Sequence, residues 1–368
     1  MSSPNLASEF LNNGDWSGSI SAWESTYTDL APDQLQAAVG ELQKAYPAEV
    51  CRELLQGPSG APIIAPLFVP GRMPGVTSML LLGLDLAHCP DWGHSPDLVA
   101  RLRHADQYSS ARLEVGVRAG MTRVGLVSHY EPRTDAGEKV ADLVVEDEIR
   151  VALELKSIAT SQSNRNLDAL VEVVKSGLQE NPPHRRIFEP YDEVVARAYT
   201  QPAAAFRRSL SRLEELVLRQ EFPMELPARR ELSDWGELLY EPSERDDTWS
   251  VALEASGRGL AHEAARALRR VREASRQTGS TVADLRVAVV RISRWHTPVE
   301  SVVFEIKSQI EGSSNPYEGL DGLVLLNHHR LDGPPSFHVA LLPFSRSQYP
   351  TWREMNWVRG LVSWSEIG

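Results

Sequence analysis

The stretch Ala141-Asp142-Leu143-Val144-Val145-Glu146, followed after a short gap by Arg150-Val151-Ala152-Leu153-Glu154-Leu155-Lys156-Ser157-Ile158, decides how this chain is read. Both halves are dense in β-branched and aliphatic residues, and the polar pair Asp147-Glu148 between them suits a tight turn. Two paired strands are therefore expected, over Val140 to Glu146 and Arg150 to Ile158. Side chains alternate along a strand with period two, so Val151, Leu153 and Leu155 point one way and Ala152, Glu154 and Lys156 the other. The first set can seal a core. The second brings a carboxylate and an ammonium together, and Asp142, at the start of the neighbouring strand, adds a second carboxylate close to Glu154.

Two carboxylates side by side repel each other unless something positive stands between them. Mg²⁺ (or Mn²⁺) suits that position, because it is a hard ion held by one or two carboxylates plus water and substrate phosphate. A metal so held can polarise a phosphoryl oxygen and supply a hydroxide-like water. Lys156 would orient that water or stabilise the charge building on phosphorus. The residue set is one for hydrolysis of a phosphodiester.

Working outward from the hairpin, Ser95-Pro96 is a helix start, with Ser at the cap and Pro in the first turn. A helical stretch is expected from there to about Ala119, broken near Ser109-Ser110, with Gly120 as its stop. Thr122 to Ser128 reads as a strand, and Glu131 to Lys139 as a loop. The order of a helix bearing Glu114, a strand, Asp142 on a second strand and Glu154-Leu155-Lys156 on a third resembles the PD-(D/E)XK nuclease superfamily. The residue before Asp142 is Ala141, where the family name has Pro. By this resemblance Glu114 takes the place of the helix acid, Asp142 and Glu154 those of the metal ligands, and Lys156 that of the catalytic lysine. In that superfamily a helix and a further strand follow the lysine-bearing strand, and Leu260 to Thr278 and Leu285 to Ile292 fit that pair.

The resemblance implies an α/β, restriction-endonuclease-like mixed sheet core flanked by helices, spanning residues 96–160 and 259–344. Residues 1–95 are expected to be a mostly helical N-terminal region, with Pro47 splitting the helical pattern of Asp33 to Leu55. Met79 to Leu86 fits a buried strand or a short core helix. Residues 161–258, with helical patterns at Leu167 to Leu178 and Pro202 to Arg219, are expected to be a helical insertion. Val299 to Ile310 reads as a helix, Gly322 to Asn327 and His338 to Phe344 as strands. Residues 345–368 form a tail carrying Trp352, Trp357 and Trp364.

The chain has 368 residues, 42% of them hydrophobic, which supports one or two domains with sizeable cores. The net charge of −12 argues against a broad non-specific nucleic-acid surface, since phosphate binding rests on Lys and Arg. It does not exclude a local one, and between Gly259 and Pro298 eight arginines stand against three acids. Arg266, Arg269, Arg270, Arg272 and Arg276 lie on the helical pattern there and are candidates to hold a nucleic-acid backbone, with Gln277 beside them. The alternative for such a run is a solvated helix face. Asn164, Arg165 and Asn166, in a polar loop after the third strand, could reach substrate or be plain loop.

Competing signals are weaker. Glu305-Ile306-Lys307 copies the Glu-x-Lys string, but Val299, Val302, Val303, Ile306 and Ile310 fall at helical spacing. His88, Cys89, Asp91 and His94 cluster in sequence, yet zinc sites draw paired ligands from two places in the chain. His328-His329 suits a strand end better than a metal. The two cysteines, Cys51 and Cys89, make no disulfide framework and fit a reducing compartment. No apolar run approaches a membrane span, and Met1 to Phe10 lacks the pattern of a secretory signal, so a cytoplasmic protein is expected.

The function expected from the sequence is that of a Mg²⁺-dependent nuclease acting on DNA in preference to RNA, in a setting such as bacterial restriction, repair or defence. The alternative is a catalytically inactive protein of the same fold, serving as a nucleic-acid-binding or assembly module. A homodimer or a partner subunit would agree with the acidic balance of the chain.

Overall fold

The computed structural model describes residues 30–56, 73–89, 91–129, 141–158, 166–167, 169–171, 173–174, 184–220, 223, 225–242, 249–250, 257–278, 281–292, 299–310, 317, 319–329, 336–344 and 348–363. The chain divides into two compact units, one made of residues 1–159 and 263–368 and the other of residues 160–262.

In the first unit, helices α1 (Pro32–Ala45), α2 (Ala48–Gln56), α3 (Met73–His88), α4 (Pro96–Leu102) and α5 (Ala105–Arg123) precede the sheet. Pro47 stands between α1 and α2, where its missing N–H and ring end one helix and open the next. Met79 to Leu86 is helical, within α3. Ser95 caps α4, accepting from the Leu98 N–H at 3.4 Å. Leu35, Leu42, Leu80, Leu84 and Trp92 form one core with Ala111 and Val115 of α5.

Helix α5 departs from expectation at both ends. The break falls at Arg103-His104, not near Ser109-Ser110, and Gly120 lies inside the helix rather than ending it. The terminator is Gly125, at φ +80°, with the Leu126 N–H reaching Met121 O at 2.9 Å and the Gly125 N–H reaching Thr122 O at 3.0 Å. This is the paired bonding of a left-handed helix cap, for which glycine is the least costly residue. Thr122 and Arg123 are consequently helical, and the strand is shortened to β1 (Val127–His129). Every residue from Ala111 to Met121 is buried, as expected of a helix packed on several sides.

Strands β2 (Leu143–Glu146) and β3 (Arg150–Ile158) form the expected antiparallel hairpin, with Leu143 opposite Leu153 and Val145 opposite Val151. The turn residue Asp147 accepts the N–H of Trp357 at 3.0 Å, thereby also capping a helix 210 residues further along the chain.

The second unit follows, with β4 (His184–Pro190), α6 (Asp192–Thr200), α7 (Ala203–Leu218), β5 (Ala228–Glu231), β6 (Gly236–Pro242) and β7 (Trp249–Ser250). Its four strands make a sheet in the order β5-β6-β4-β7, so the insertion is mixed α/β and the expectation of a helical insertion is corrected. The strand His-Arg-Arg-Ile-Phe-Glu-Pro reads as a connection because charges and a proline flank its short apolar centre. In β6 the alternation is present, Gly236, Leu238 and Tyr240 being buried between more exposed neighbours. Phe188, Phe206, Trp235 and Leu238 sit in this unit's own core.

Helix α8 (Gly257–Gln277) leads back to β8 (Leu285–Ile292), α9 (Val299–Ile310), β9 (Gly322–His329), β10 (Ser336–Pro343), α10 (Gln348–Glu354) and α11 (Asn356–Ser363). The sheet of the first unit runs β1-β2-β3-β8-β9-β10. It is mixed: β3-β8 and β8-β9 pair in parallel, and β1-β2, β2-β3 and β9-β10 antiparallel. Val151, Leu153, Leu155, Val287, Val289 and Val324 of one face join Leu113 and Val117 of α5, Trp352 of α10, and Trp357 and Leu361 of α11 in a second core. The residues between them, Ala152, Ala288, Val290, Leu323 and Leu325, are also fully buried, so the sheet centre is covered on both faces. Trp352 and Trp357 meet edge to face at 5.3 Å; Trp364 lies outside the described residues.

Candidate active site

Asp142 stands one residue before the β2-β3 ladder begins, and continuing the register sets it opposite Glu154. Opposed residues of an antiparallel pair share a face, so both carboxylates approach from one side. The approach is fixed by two hydrogen bonds. The Asp142 N–H donates to Glu154 Oε2 at 3.2 Å, and the Leu155 N–H donates to Asp142 Oδ2 at 2.8 Å. Lys156 Nζ donates to Glu154 Oε1 and lies 4.0 Å from Asp142 Oδ2. The three groups that the sequence singled out thus meet in one cluster.

Their exposures differ in a useful way. The Glu154 side chain is 0% exposed, Lys156 16% and Asp142 39%, so the cluster is sealed below and open at Asp142. Burial pushes the Glu154 carboxyl up to about 7, with the Asp142 charge adding to the rise and Lys156 opposing it. Asp142 is also raised, chiefly by burial, with Lys156 and the Leu155 N–H pulling the other way. A pair of carboxyls held close and partly desolvated resists full ionisation until a cation arrives.

Glu114, on the buried side of α5, is near enough for its charge to raise the Asp142 carboxyl, and Arg101 is near enough to lower it. Arg101 Nη1 pairs with Glu114 Oε2 at 2.9 Å, while its Nε holds Asp97 at 2.8 Å. Sequence reasoning passed over Arg101. Its signal, an acid four residues earlier on the same helix, looks like an ordinary surface pair. Among the described residues no group of three or more His, Cys, Asp or Glu side chains is gathered as a metal cluster. Glu114 therefore stands beside the Asp142-Glu154 pair as a neighbour engaged by Arg101. The donor set of two carboxylates fits a hard divalent ion that keeps several waters.

Of the arginine candidates, Arg269, Arg272 and Arg276 are exposed and Arg266 and Arg270 half-buried. The first three recur at helical spacing along α8, which puts them on one face. Arg270 pairs with Glu273 at 2.5 Å. Gln277, at the end of α8, is half-buried.

The competing signals disperse. Glu305 and Lys307 sit on helix α9, not on a strand. His88 Nδ1 contacts Leu84 O at 2.8 Å, Cys89 is buried, and His94 lies 3.5 Å from Asp91 on an exposed turn. Asn166 is buried in the second unit and donates to Ala198 O and Gln201 O, which corrects its placement in a substrate-reaching loop; Asn164 and Arg165 lie outside the described residues. His328 and His329 are in β9, paired with β10. Among the described residues no helix is long and apolar enough to cross a membrane. No protein-family model, curated protein or solved structure matches this chain.

Proposed function

We propose that the chain is a metal-dependent nuclease of restriction-endonuclease-like fold, hydrolysing phosphodiester bonds in DNA. The observation that carries this reading is the meeting of Asp142, Glu154 and Lys156 at one end of the β2-β3 hairpin, hydrogen-bonded to one another. Support also comes from the element order: an acid-bearing helix (α5), a strand (β1), the Asp142 strand, the Glu154-x-Lys156 strand, then a helix and a strand (α8, β8).

Asp142 and Glu154 would hold Mg²⁺ or Mn²⁺. The ion, when bound, supplies polarisation of the phosphoryl oxygen and an acidified water. Lys156 Nζ would donate to a phosphoryl oxygen and stabilise the charge it gains. Glu114 would hold Arg101 beside the site. Arg269, Arg272 and Arg276 on one face of α8 would hold phosphates away from the cut and so fix the strand's position.

A second reading has its own support. Glu154 already has Lys156, and Glu114 already has Arg101, so a protein cation serves each acid. An inactive module of the same fold would keep these pairs as plain structure. The test is plasmid and single-stranded DNA incubated with Mn²⁺ or Mg²⁺, with and without chelator. Metal-dependent nicking that falls at least about 100-fold in Glu154→Gln and in Lys156→Ala supports the nuclease. No cutting by the parent protein, with DNA binding unchanged in both variants, supports the module.

A further inference from the structure

Arg291 lies near the end of strand β8. On β8 it is registered with Ser157 of β3 and Leu326 of β9. Registered neighbours in a parallel pair point to the same face, which here is the face that carries Leu155, Val289 and Leu326 against α5. Ser109, near the start of α5, touches Ser157 hydroxyl to hydroxyl at 2.5 Å, so the helix crosses at this level. Arg112, one turn further along, is close enough to act on the Arg291 charge.

The guanidinium is poorly served in this position. Among the described residues its buried Nε has no hydrogen-bond partner. Arg112 itself has a counter-charge, the Asp85 carboxylate, which it shares with Arg123, each at 2.6 Å. Burial, followed by the Arg112 charge, pushes Arg291 down to about 10, so it stays charged at neutral pH. A guanidinium whose buried Nε finds no partner is costly, and an anion from solution removes that cost. Ser109, Ser157 and Arg291 are all half-buried, leaving an approach from solvent. The place is also the right one in topological terms, since ligands of parallel sheets bind beyond the carboxyl ends of the strands, and β3 and β8 both end here.

We propose that Arg291, Ser157 and Ser109 form a phosphate-binding site at the carboxyl ends of β3 and β8, which, resting on the nuclease reading above, takes a backbone phosphate of the bound DNA other than the one presented to Asp142 and Glu154. Ser157 follows Lys156 directly in the chain, so the two side chains leave opposite faces of β3 and this site is separate from the hydrolytic cluster. The guanidinium supplies charge and paired donors, and the two hydroxyls add donors of adjustable direction.

The test uses the full chain in two arms. In the first, binding of a fluorescein-labelled DNA duplex is followed by anisotropy in Ca²⁺ over a range of salt. In the second, the shift of Tm by orthophosphate is measured. Arg291→Gln is expected to weaken DNA binding about 10-fold and to reduce the slope of log K against log salt by about 1, with Arg291→Lys keeping the slope. Orthophosphate is expected to raise the Tm of the parent and not that of Arg291→Gln. Should Arg291→Gln fail to fold, Ser157→Ala and Ser109→Ala carry the test, each expected to weaken binding about 3-fold. Folded variants that bind DNA and orthophosphate as the parent does overturn the site, even if Glu154→Gln abolishes cutting and the nuclease reading stands. A parent that binds no DNA, yet is stabilised by orthophosphate through Arg291, upholds the site as one for free phosphate or a mononucleotide and removes the nuclease reading.

Discussion

The Asp142 N–H donates to Glu154 Oε2 at 3.2 Å, so the backbone of one acid holds the side chain of the other. Glu154 is fully buried beneath that bond, and its remaining oxygen goes to Lys156. The arrangement makes the protonation state of Glu154 part of the stability of the hairpin.

Glu154 should therefore make stability depend on pH. Its carboxyl is raised in the folded protein from 4.5 to about 7, so folding favours the protonated form. The contribution is fully present below about pH 4.5 and is lost as pH rises through 7, amounting to on the order of 3 kcal/mol. Glu154→Gln, neutral throughout, should keep a higher Tm than the parent above pH 7 and converge on it near pH 4.5. Adding Mn²⁺ should raise the Tm of the parent most at the alkaline end, where the carboxylate is ionised, and leave that of Glu154→Gln nearly unmoved. Thermal melts from pH 4.5 to 8 check both.

The exposed stripe on α8 should act additively and without sequence preference. Arg269→Ala and Arg276→Ala are each expected to lower the salt slope of DNA binding by about 1 and to weaken unrelated sequences equally. Arg270→Ala, which removes a group already paired with Glu273, should change the slope less. Salt-dependent anisotropy on two unrelated duplexes decides this.

Asp85 is a buried carboxylate of α3 held by two arginines of α5, at 2.6 Å each. Asp85→Ala strands Arg112 and Arg123 without it and should cost about 3–5 kcal/mol in chemical denaturation. Replacing the acid alone is the damaging change, because the cost comes from the cations left behind.

Gly236 tests the second unit by itself. Its φ is +148°, and a Cβ there would stand 2.7 Å from Pro190 Cα and closer still to Glu189 O, both backbone atoms that cannot step aside. Gly236→Ala should strain the β4-β6 pairing and destabilise residues 160–262 by more than about 1 kcal/mol. Limited proteolysis should then cut that unit first.

Much of this fold is legible in the local pattern. The β2-β3 hairpin follows from alternation around Asp147-Glu148, and the helical spacing of Val299 to Ile310 removes the second Glu-x-Lys string from contention. Gly120 does not end the helix, which runs on to Arg123 and stops at Gly125; its carbonyl instead accepts from Ser363 Oγ of α11 at 3.2 Å, a contact 243 residues away in sequence. The sheet of the second unit was hidden because β4 and β5 each carry an Arg-Arg pair and a glutamate, and charge masks period-two patterning.

The sequence by itself determined that Asp142, Glu154 and Lys156 would share one end of a hairpin, because strand alternation and a tight turn are local effects that leave few choices. Tertiary structure alone decided what surrounds them. Arg101 reaches Glu114 across two helices, Asp147 caps a helix from the far end of the chain, and Arg291 lies beside Ser157 through a parallel pairing. Each joins residues whose separation along the chain carries no periodic signal. Such contacts form only when helices and sheet are packed, so burial and charge there could be read only from the folded chain.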